Sequence, residues 1–457
     1  MLFNSYAFLF VFLPAAIALY ALVERRKELR IPVLIALSFI FYGYWDIRFV
    51  PLLAGSILVN WLAARWHIAS HRASVITLAI AVNLAVLAFF KYWNFFGDNV
   101  AAVAGTAIHH LDIALPLGIS FFTFHHIMYL VDLRRGIAPA IPLDRYALYI
   151  CFFPQVLSGP LVRWHEVVHQ FGEAVFTPGW QKRFAFGVTL IILGLAQKVF
   201  LGDGLASIVN PIYERAARGA VGCSEAWLAT LGFSFQIFFD FSGYTDIAIG
   251  LALIFAIELP RNFDAPYRAA SIREFWRRWH MTLSRFLRDY LYVPLGGNRH
   301  GLSVQIGALL ATMLLGGLWH GAGWGFVVWG GLHGIALVID LLWRRWSALP
   351  LPTVIGWIAT VSFVTLAWVF FRSPSFAAAG RMLEALAVGG TSLAHDGWRT
   401  VMIAAFCAVV LPSSYEIGRR LTERPRTGVA LGLGAASAAL IVALGSDASY
   451  EFIYFRF

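Results

Sequence analysis

Long apolar runs separated by short polar or basic segments recur from one end of the chain to the other. Several runs reach the roughly 18–20 residues that an α-helix needs to cross a bilayer, and others are shorter. The pattern predicts an all-α polytopic integral membrane protein with about 11–13 membrane helices, some of them re-entrant or interfacial. The apolar runs are 7–23, 31–44, 50–64, 74–90, 113–131, 184–201, 226–239, 247–258, 303–319, 324–343, 353–371, 400–412 and 428–444.

Basic residues concentrate in the segments between apolar runs, beginning with ERRKELR at 24–30 and ending with GRRLTERPR at 418–426. Cytoplasmic loops of membrane proteins carry an excess of Lys and Arg. We therefore expect these segments to face the cytoplasm, with residues 92–112 and 372–399 on the opposite side. This bias explains most of the net charge of +10 and leaves no support for nucleic-acid binding.

The composition indicates a single membrane domain over residues 1–457. Hydrophobic residues make up 60% of the chain and charged residues 13%, against about 25% charged in soluble proteins. No internal repeat or linker separates a soluble domain. The three cysteines form no CxxC pair, so we predict no disulfide framework, no metal site and no permanently bound cofactor.

The segment SIREFWRRWHMTLSRFLRDYLYVPLGGNRHG at 271–301 is the least membrane-like part of the second half. Read as a helix over 271–291, it places Arg273, Arg277, Ser284 and Arg288 on one stripe, opposite an aromatic face. His280 falls at the seam. The helix could lie on anionic headgroups, or its arginines could bind a phosphate-bearing donor such as a coenzyme A thioester. The sequence does not divide the arginines between these tasks.

The segment FQIFFDFSGYTDIAIG at 235–250 places Asp240, Tyr244 and Asp246 between two apolar runs. Ser242-Gly243 suggests a break in the helix. We favour a hydrogen-bonded turn in which the carboxylates pair locally. A polar lining beside a substrate path is the alternative.

Two further segments combine polar and apolar residues. His125 and His126 are adjacent, so their side chains point about 100° apart on a helix and cannot share one site. A packed, hydrogen-bonded role is favoured for each. CFFPQVLSGPLVR at 151–163 has two prolines and predicts a broken or re-entrant helix, with Gln155 and Arg163 available to a cavity.

LLGGLWHGAGW at 314–324 contains a histidine, His320, in one of the most apolar parts of the chain. Ionisable groups are rare inside membranes and often functional there. The surrounding glycines would allow another chain or a ligand to approach closely. His333, in GGLHG, has a similar setting and is the competing candidate.

These segments resemble the membrane-bound O-acyltransferases, and most of all the branch of bacterial alginate O-acetyltransferases. The resemblance covers most of about 115–335, the motif-bearing core. Its motifs are SFFTF (120–124), FFPQ with SGPLVR (152–163), FSGYTDIAIGLALIF (241–255), LPRNFDAPY (259–267), FWRRWHMTLSRFLRDYLYVPLGGNR (275–299) and LGGLWHGAGWGFVVWGGLHG (315–334).

The resemblance implies a catalytic role for His320 and a second site histidine at His280, with a central tunnel that crosses the membrane. A neutral imidazole can take the proton of a hydroxyl that attacks a thioester, which is worth about 10²–10⁴ in rate. Apolar surroundings keep the ring neutral. We expect His320 to be the general base and His280 to position a substrate or support developing charge. The candidate substrate-binding residues are Arg273, Arg277, Arg288, Trp319, Tyr244, Asp246 and Asn298.

The resemblance further implies acetyl-CoA as acyl donor and an exported polysaccharide as acceptor, alginate-like or another glycan. Similar proteins commonly pass the acyl group to a separate periplasmic acetyltransferase, so a protein partner is expected as well. A bacterial inner membrane is the implied location. His125 stands where the family often has glutamine after SFFTF, which could tune the acceptor path or have no effect.

Two other classes compete with the enzyme. A transporter would also place polar residues along its substrate path. Transporter folds often show paired repeats, however, and the sequence has no such internal repeat. A non-catalytic subunit of a polysaccharide-export complex would tolerate loss of His320.

Overall fold

The computed structural model describes residues 1–105, 110–347, 351–388, 396–423, 427–444 and 452–453. Across these ranges the chain forms helices and connecting segments without a β-strand, which confirms the all-α class. The first helices are α1 Leu13–Val23, α2 Lys27–Gly43, α3 Val50–Ser70, α4 Ala73–Ala104, α5 Ile119–Arg134, α6 Leu143–Cys151, α7 Trp164–Val167, α8 Trp180–Ala196, α9 Gly204–Arg218 and α10 Cys223–Ile254. The later helices are α11 Ile272–Arg278, α12 Met281–Leu287, α13 Leu302–His320, α14 Trp324–Trp346, α15 Thr353–Arg372, α16 Phe376–Ala387, α17 Gly397–Val409, α18 Ser414–Glu423 and α19 Thr427–Leu444.

Seven helices in the described part of the chain are long and apolar enough to cross a membrane. They would be eight if α17 and α18, which meet at 65°, form one broken span. The polytopic membrane class is therefore confirmed, while the helix number of 11–13 and the central tunnel stay predictions. One span joins α8 and α9 through the π-helical segment Gln197–Asp203. The seven spans are Ile47–Ser70, Ala73–Ala104, Trp180–Arg218, Cys223–Ile254, Leu302–His320, Trp324–Trp346 and Thr353–Arg372.

The chain forms two compact units, each assembled from several segments. The first contains Met1–Ile192, Tyr244–Pro260 and Gly418–Ala435. The second contains Leu193–Gly243, Arg261–Ile417 and Ala436–Phe457. The single domain expected over 1–457 stays a prediction.

In the first unit, the adjacent histidines of α5 are fully buried and hydrogen-bonded. The Nδ1 of His126 lies 2.6 Å from the Tyr146 hydroxyl, and its Nε2 lies 3.2 Å from the Ser56 hydroxyl. The Nε2 of His125 accepts a hydrogen bond from the Val162 amide at 3.1 Å. A buried polar ring needs such partners. Their presence confirms the predicted packed, hydrogen-bonded role of both histidines.

The first unit also contains the irregular segment that the two prolines predicted. Helix α6 ends at Cys151, and the chain then runs without regular helix to Arg163 before α7 begins. Gln155, which is fully buried, donates to the Tyr149 carbonyl at 2.7 Å. Residues 152–162 are buried in protein, and non-helical backbone in a membrane protein is tolerated where protein encloses it.

Helix α10 corrects the prediction of a break at Ser242-Gly243, since it runs without interruption from Cys223 to Ile254. In the second unit, a Cβ added to Gly243 would lie 2.6 Å from the carbonyl oxygen of Gly194. The glycine is therefore needed for close packing against a neighbouring backbone. It does not end the helix.

A buried cluster of charges lies beside α10 in the second unit. The ammonium of Lys198 lies 2.6 Å from carboxylate oxygens of both Asp203 and Asp240. The second oxygen of Asp240 accepts a hydrogen bond from the backbone amide of Ile453 at 2.7 Å, and the Lys198 ammonium lies 4.6 Å from the Phe452 ring centroid. Asp240 is therefore paired, but its partner is a lysine 42 positions away and not a group within the predicted turn.

Candidate functional site

His320 is the last residue of α13, where a tight connection leads into α14. The two helices pack very closely, because a Cβ on Gly317 would lie 2.3 Å from the Phe326 carbonyl, and one on Gly330 would lie 2.3 Å from the Met313 carbonyl. The element that packs closely against the glycines of α13 is therefore α14. The glycine-rich sequence brings α14 against the end of α13 that carries His320.

The ring of His320 is 4% exposed and lies among aromatic side chains. Its centroid is 4.8 Å from that of Trp319, 5.2 Å from that of Trp329 and 5.3 Å from that of Phe371. Aromatic side chains therefore enclose the ring almost completely.

His280 lies at a break in the segment that was predicted to be one helix over 271–291. Helix α11 ends at Arg278 and α12 begins at Met281. His280 between them has φ 40° and ψ 54°, in the left-handed region, which costs a residue other than glycine about 1–3 kcal/mol. The continuous helix is therefore wrong, and the surrounding contacts must hold this conformation.

Asn262, in the LPRNF motif, supplies contacts that hold the break. Its backbone carbonyl accepts a hydrogen bond from the Met281 amide at 2.9 Å. Its side-chain oxygen accepts one from the Thr282 hydroxyl at 2.6 Å. Asn262 is fully buried, so these bonds are shielded from water and fix the start of α12 immediately after His280.

The break directs His280 toward the end of α13. Its ring centroid lies 6.3 Å from that of Trp319 and 4.7 Å from that of Phe241, whose ring is at 81° to it. Trp319 therefore contacts both histidines that the motifs singled out. Complete burial lowers the pKa of His280 to about 3, so the ring is neutral at physiological pH.

A cavity of about 640 Å³ opens beside α11 and α12. The four polar residues of the predicted stripe all line it, although the helix that carries them is broken. Trp276 and Met281 line it as well, together with residues of α13 and α14. The full lining is Arg273, Trp276, Arg277, Met281, Ser284, Arg285, Leu287, Arg288, Tyr292, Gln305, Leu309, Thr312, Met313, Leu337, Asp340, Leu341 and Arg344.

The cavity is strongly basic, with five arginines and one carboxylate in its lining. Asp340 pairs with Arg344 at 2.6 Å, and Arg288 pairs with Asp289 at 2.7 Å. Burial lowers the pKa of Arg273, and repulsion from Arg344 and Arg277 lowers it further. An anion bound here would relieve that repulsion, and the planar guanidinium groups suit phosphate oxygens.

The cavity and His320 share helix α13. Thr312 and Met313 line the cavity and precede His320 by two turns of the helix. At 1.5 Å of rise per residue, this separates the cavity wall from His320 by about 10 Å along the helix axis.

Asn298, Tyr244 and Asp246 were also predicted to bind substrate, and none of them lines the cavity. Asn298 is exposed on the turn after residue 292 and does not line the cavity. Tyr244 and Asp246 are buried in the first unit. The ring of Tyr244 stacks on Phe3, with centroids 4.9 Å apart.

Asn262, Trp276 and Arg344 also contribute to the histidine site or the cavity, although the sequence patterns did not predict it. Asn262 was visible only as part of a motif, and Trp276 only as one of many aromatic residues. Arg344 lies in a different helix, at the end of an apolar run, and its sequence position gave no sign of the cavity. Residues that are distant in sequence can be assigned to one site only from the tertiary structure.

Comparison with known proteins gives the same family as the motifs. The model of the MBOAT, membrane-bound O-acyltransferase family, matches residues 76–379. This match extends beyond the core of about 115–335 in both directions.

Individual relatives match over half of the chain or more. A peptidoglycan O-acetyltransferase of Helicobacter pylori is 37% identical over 86% of this chain and 81% of its own length. A protein of Azotobacter vinelandii, named probable alginate O-acetylase, is 39% identical over 84% of this chain and 78% of its own. A teichoic acid D-alanyltransferase of Streptococcus thermophilus is 31% identical over 50% of this chain and 57% of its own.

Proposed function

Because this chain belongs to the membrane-bound O-acyltransferase family, we propose that it transfers acetyl groups from acetyl-CoA toward a hydroxyl of an exported glycan. The glycan is a polysaccharide or peptidoglycan, the classes of acceptor named for its relatives. Transfer occurs directly or through a periplasmic partner protein. The enzyme acts in a bacterial inner membrane, with the donor on the cytoplasmic side.

The observation that carries this proposal is that His280 and His320 both contact one indole, that of Trp319. In the proposed reaction, the acceptor hydroxyl attacks the thioester carbonyl while His320 takes its proton. The new C–O bond forms as the C–S bond breaks. The proton passes from His320 to the thiolate, which gives an acetyl ester and free coenzyme A. His280, neutral and buried, orients a substrate by hydrogen bonding.

The arginine-lined cavity supports a coenzyme A donor. Coenzyme A carries its phosphates at one end and its thioester at the end of a long, thin arm. Phosphates bound by the arginines of α11 and α12 would leave this arm to follow α13 toward His320, about 10 Å further along the helix. The apolar surroundings of His320 exclude water, which would otherwise hydrolyse the thioester.

Transfer of radiolabelled acetyl from acetyl-CoA, in membranes that contain the full chain, tests the proposal. Wild type is compared at equal abundance with His320→Ala and with a control, His169→Ala, which removes an exposed histidine. We expect label on exported polymer or on a periplasmic protein with wild type and with the control, and at least 100-fold less with His320→Ala.

Equal label with all three proteins would overturn the role of His320. Absence of label with wild type, in membranes from cells that also make the polymer and its export proteins, would overturn acetyl-CoA as the donor. Solute uptake without acyl transfer would favour the transporter class instead.

A further inference from the structure

Another buried histidine, His333 on α14, has no part in the reaction described above. It is fully buried. Its Nδ1 accepts a hydrogen bond from the indole N–H of Trp276 at 3.2 Å. Because Nδ1 accepts, the proton of the neutral ring must be on Nε2. The bond from Trp276 therefore fixes both the tautomer and the orientation of this ring.

His333 contacts Trp329, which lies one helical turn earlier on α14. The centroids of the two rings are 4.7 Å apart. Trp329 in turn meets the ring of His320 at 5.2 Å, with an interplanar angle of 88°. Trp329 also stacks on Trp368, with ring centroids 5.2 Å apart. Trp329 is 1% exposed, so a change in the orientation of His333 must be transmitted to it.

Trp276 belongs to two sites at once. It lines the arginine-rich cavity, and it donates the hydrogen bond that orients His333. A continuous series of contacts thus joins the cavity to His320 through Trp276, His333 and Trp329.

We propose that His333 is a positioning residue for His320, acting through Trp329, and that Trp276 links this support to the donor cavity. The inference rests on the proposed acyl transfer. A general base must be held precisely, since a displacement of about 1 Å can cost about 100-fold in rate. The glycines at 317 and 330 let α13 and α14 approach closely enough for such support.

The test compares His333→Phe, Trp276→Phe and the double variant. His333→Phe keeps an aromatic ring and removes the acceptor, whereas Trp276→Phe keeps a ring and removes the donor. Trp357→Phe is the matched control, because it removes a partly buried indole hydrogen bond of 2.8 Å to the Tyr267 carbonyl, and Trp357 does not line the cavity. Rates of acetyl transfer from labelled acetyl-CoA are measured per folded protein in membranes, together with donor KM and pH profile.

We expect kcat to fall about 10- to 100-fold in both single variants, with no further loss in the double variant. Only Trp276→Phe should raise the KM for acetyl-CoA. The acid limb of the kcat/KM profile should shift in His333→Phe. Loss of folded protein alone would instead lower the rate by the same factor at every pH. The fall in rate of the double variant would then be the product of the falls in the two single variants.

A His333→Phe protein with wild-type kcat and pH profile would overturn the inference, as would independent, multiplicative losses in the double variant. These failures are distinguishable from failure of the proposed function. If the proposed function were wrong, wild type itself would transfer no acetyl group, or His320→Ala would be as active as wild type.

Discussion

The rings of His280 and Trp319 lie 6.3 Å apart between centroids, although 39 positions of chain separate the two residues. His280 reaches Trp319 from a left-handed break between two short helices. Trp319 also contacts His320 at 4.8 Å. Two histidines from different motifs are thereby placed against one side chain in an apolar setting.

Burial of His280 should make stability depend on pH. Its folded pKa is lowered to about 3, while the unfolded ring takes up a proton near pH 6.5. Between these values the unfolded state binds more protons, so stability is fully present above pH 6.5 and is lost as the pH falls toward 3. We expect a difference in slope of about 1 kcal/mol per pH unit below pH 6 between wild type and His280→Gln.

Thermal unfolding of both proteins in detergent, between pH 7.5 and 4.5, measures this difference. The comparison uses the slope of stability with pH, so a constant offset caused by the substitution does not affect it. Parallel curves for the two proteins would show that His280 is not held in its neutral form by the fold.

Removal of the buried lysine should destabilise the second unit. Lys198→Met leaves the carboxylates of Asp203 and Asp240 without the ammonium that lies 2.6 Å from each. Loss of one partner from a buried ion pair costs about 3–5 kcal/mol. Lys198→Arg is the control, since it keeps the charge. Thermal unfolding in detergent should show a large loss for Lys198→Met and a smaller one for Lys198→Arg, and equal losses would contradict a dominant role for charge.

Arginines of the cavity should control the affinity for the donor more than the rate of transfer. Arg277→Gln removes a cation from the lining, and a charge-assisted hydrogen bond contributes about 1.5–3 kcal/mol. We expect the KM for acetyl-CoA to rise about tenfold or more, with kcat little changed. Arg299→Gln, which removes an exposed arginine outside the cavity, is the control.

Salt provides an independent measurement for the same variant. Screening weakens attraction between exposed charges, so the KM of wild type should rise with ionic strength. The rise should be shallower in Arg277→Gln, because one attractive charge is already missing. An unchanged KM in this variant, with a normal salt response, would place the donor phosphates elsewhere.

Local patterns in the chain were sufficient for several features. Hydrophobic runs predicted an all-α membrane protein because backbone groups in lipid must be satisfied within each segment. The stripe of Arg273, Arg277, Ser284 and Arg288 predicted a shared polar surface, and all four residues line one cavity. The paired prolines predicted the irregular segment before Arg163. Each of these features depends on residues that are close in sequence.

Tertiary contacts decided what local patterns could not. Ser242-Gly243 has the composition of a helix break, yet α10 continues because Gly243 packs against the Gly194 backbone. The segment around His280 has the pattern of one helix, yet it breaks where Asn262 binds the start of α12. In both places a partner distant in sequence outweighs a local preference, because close packing and buried hydrogen bonds contribute more free energy than propensity does.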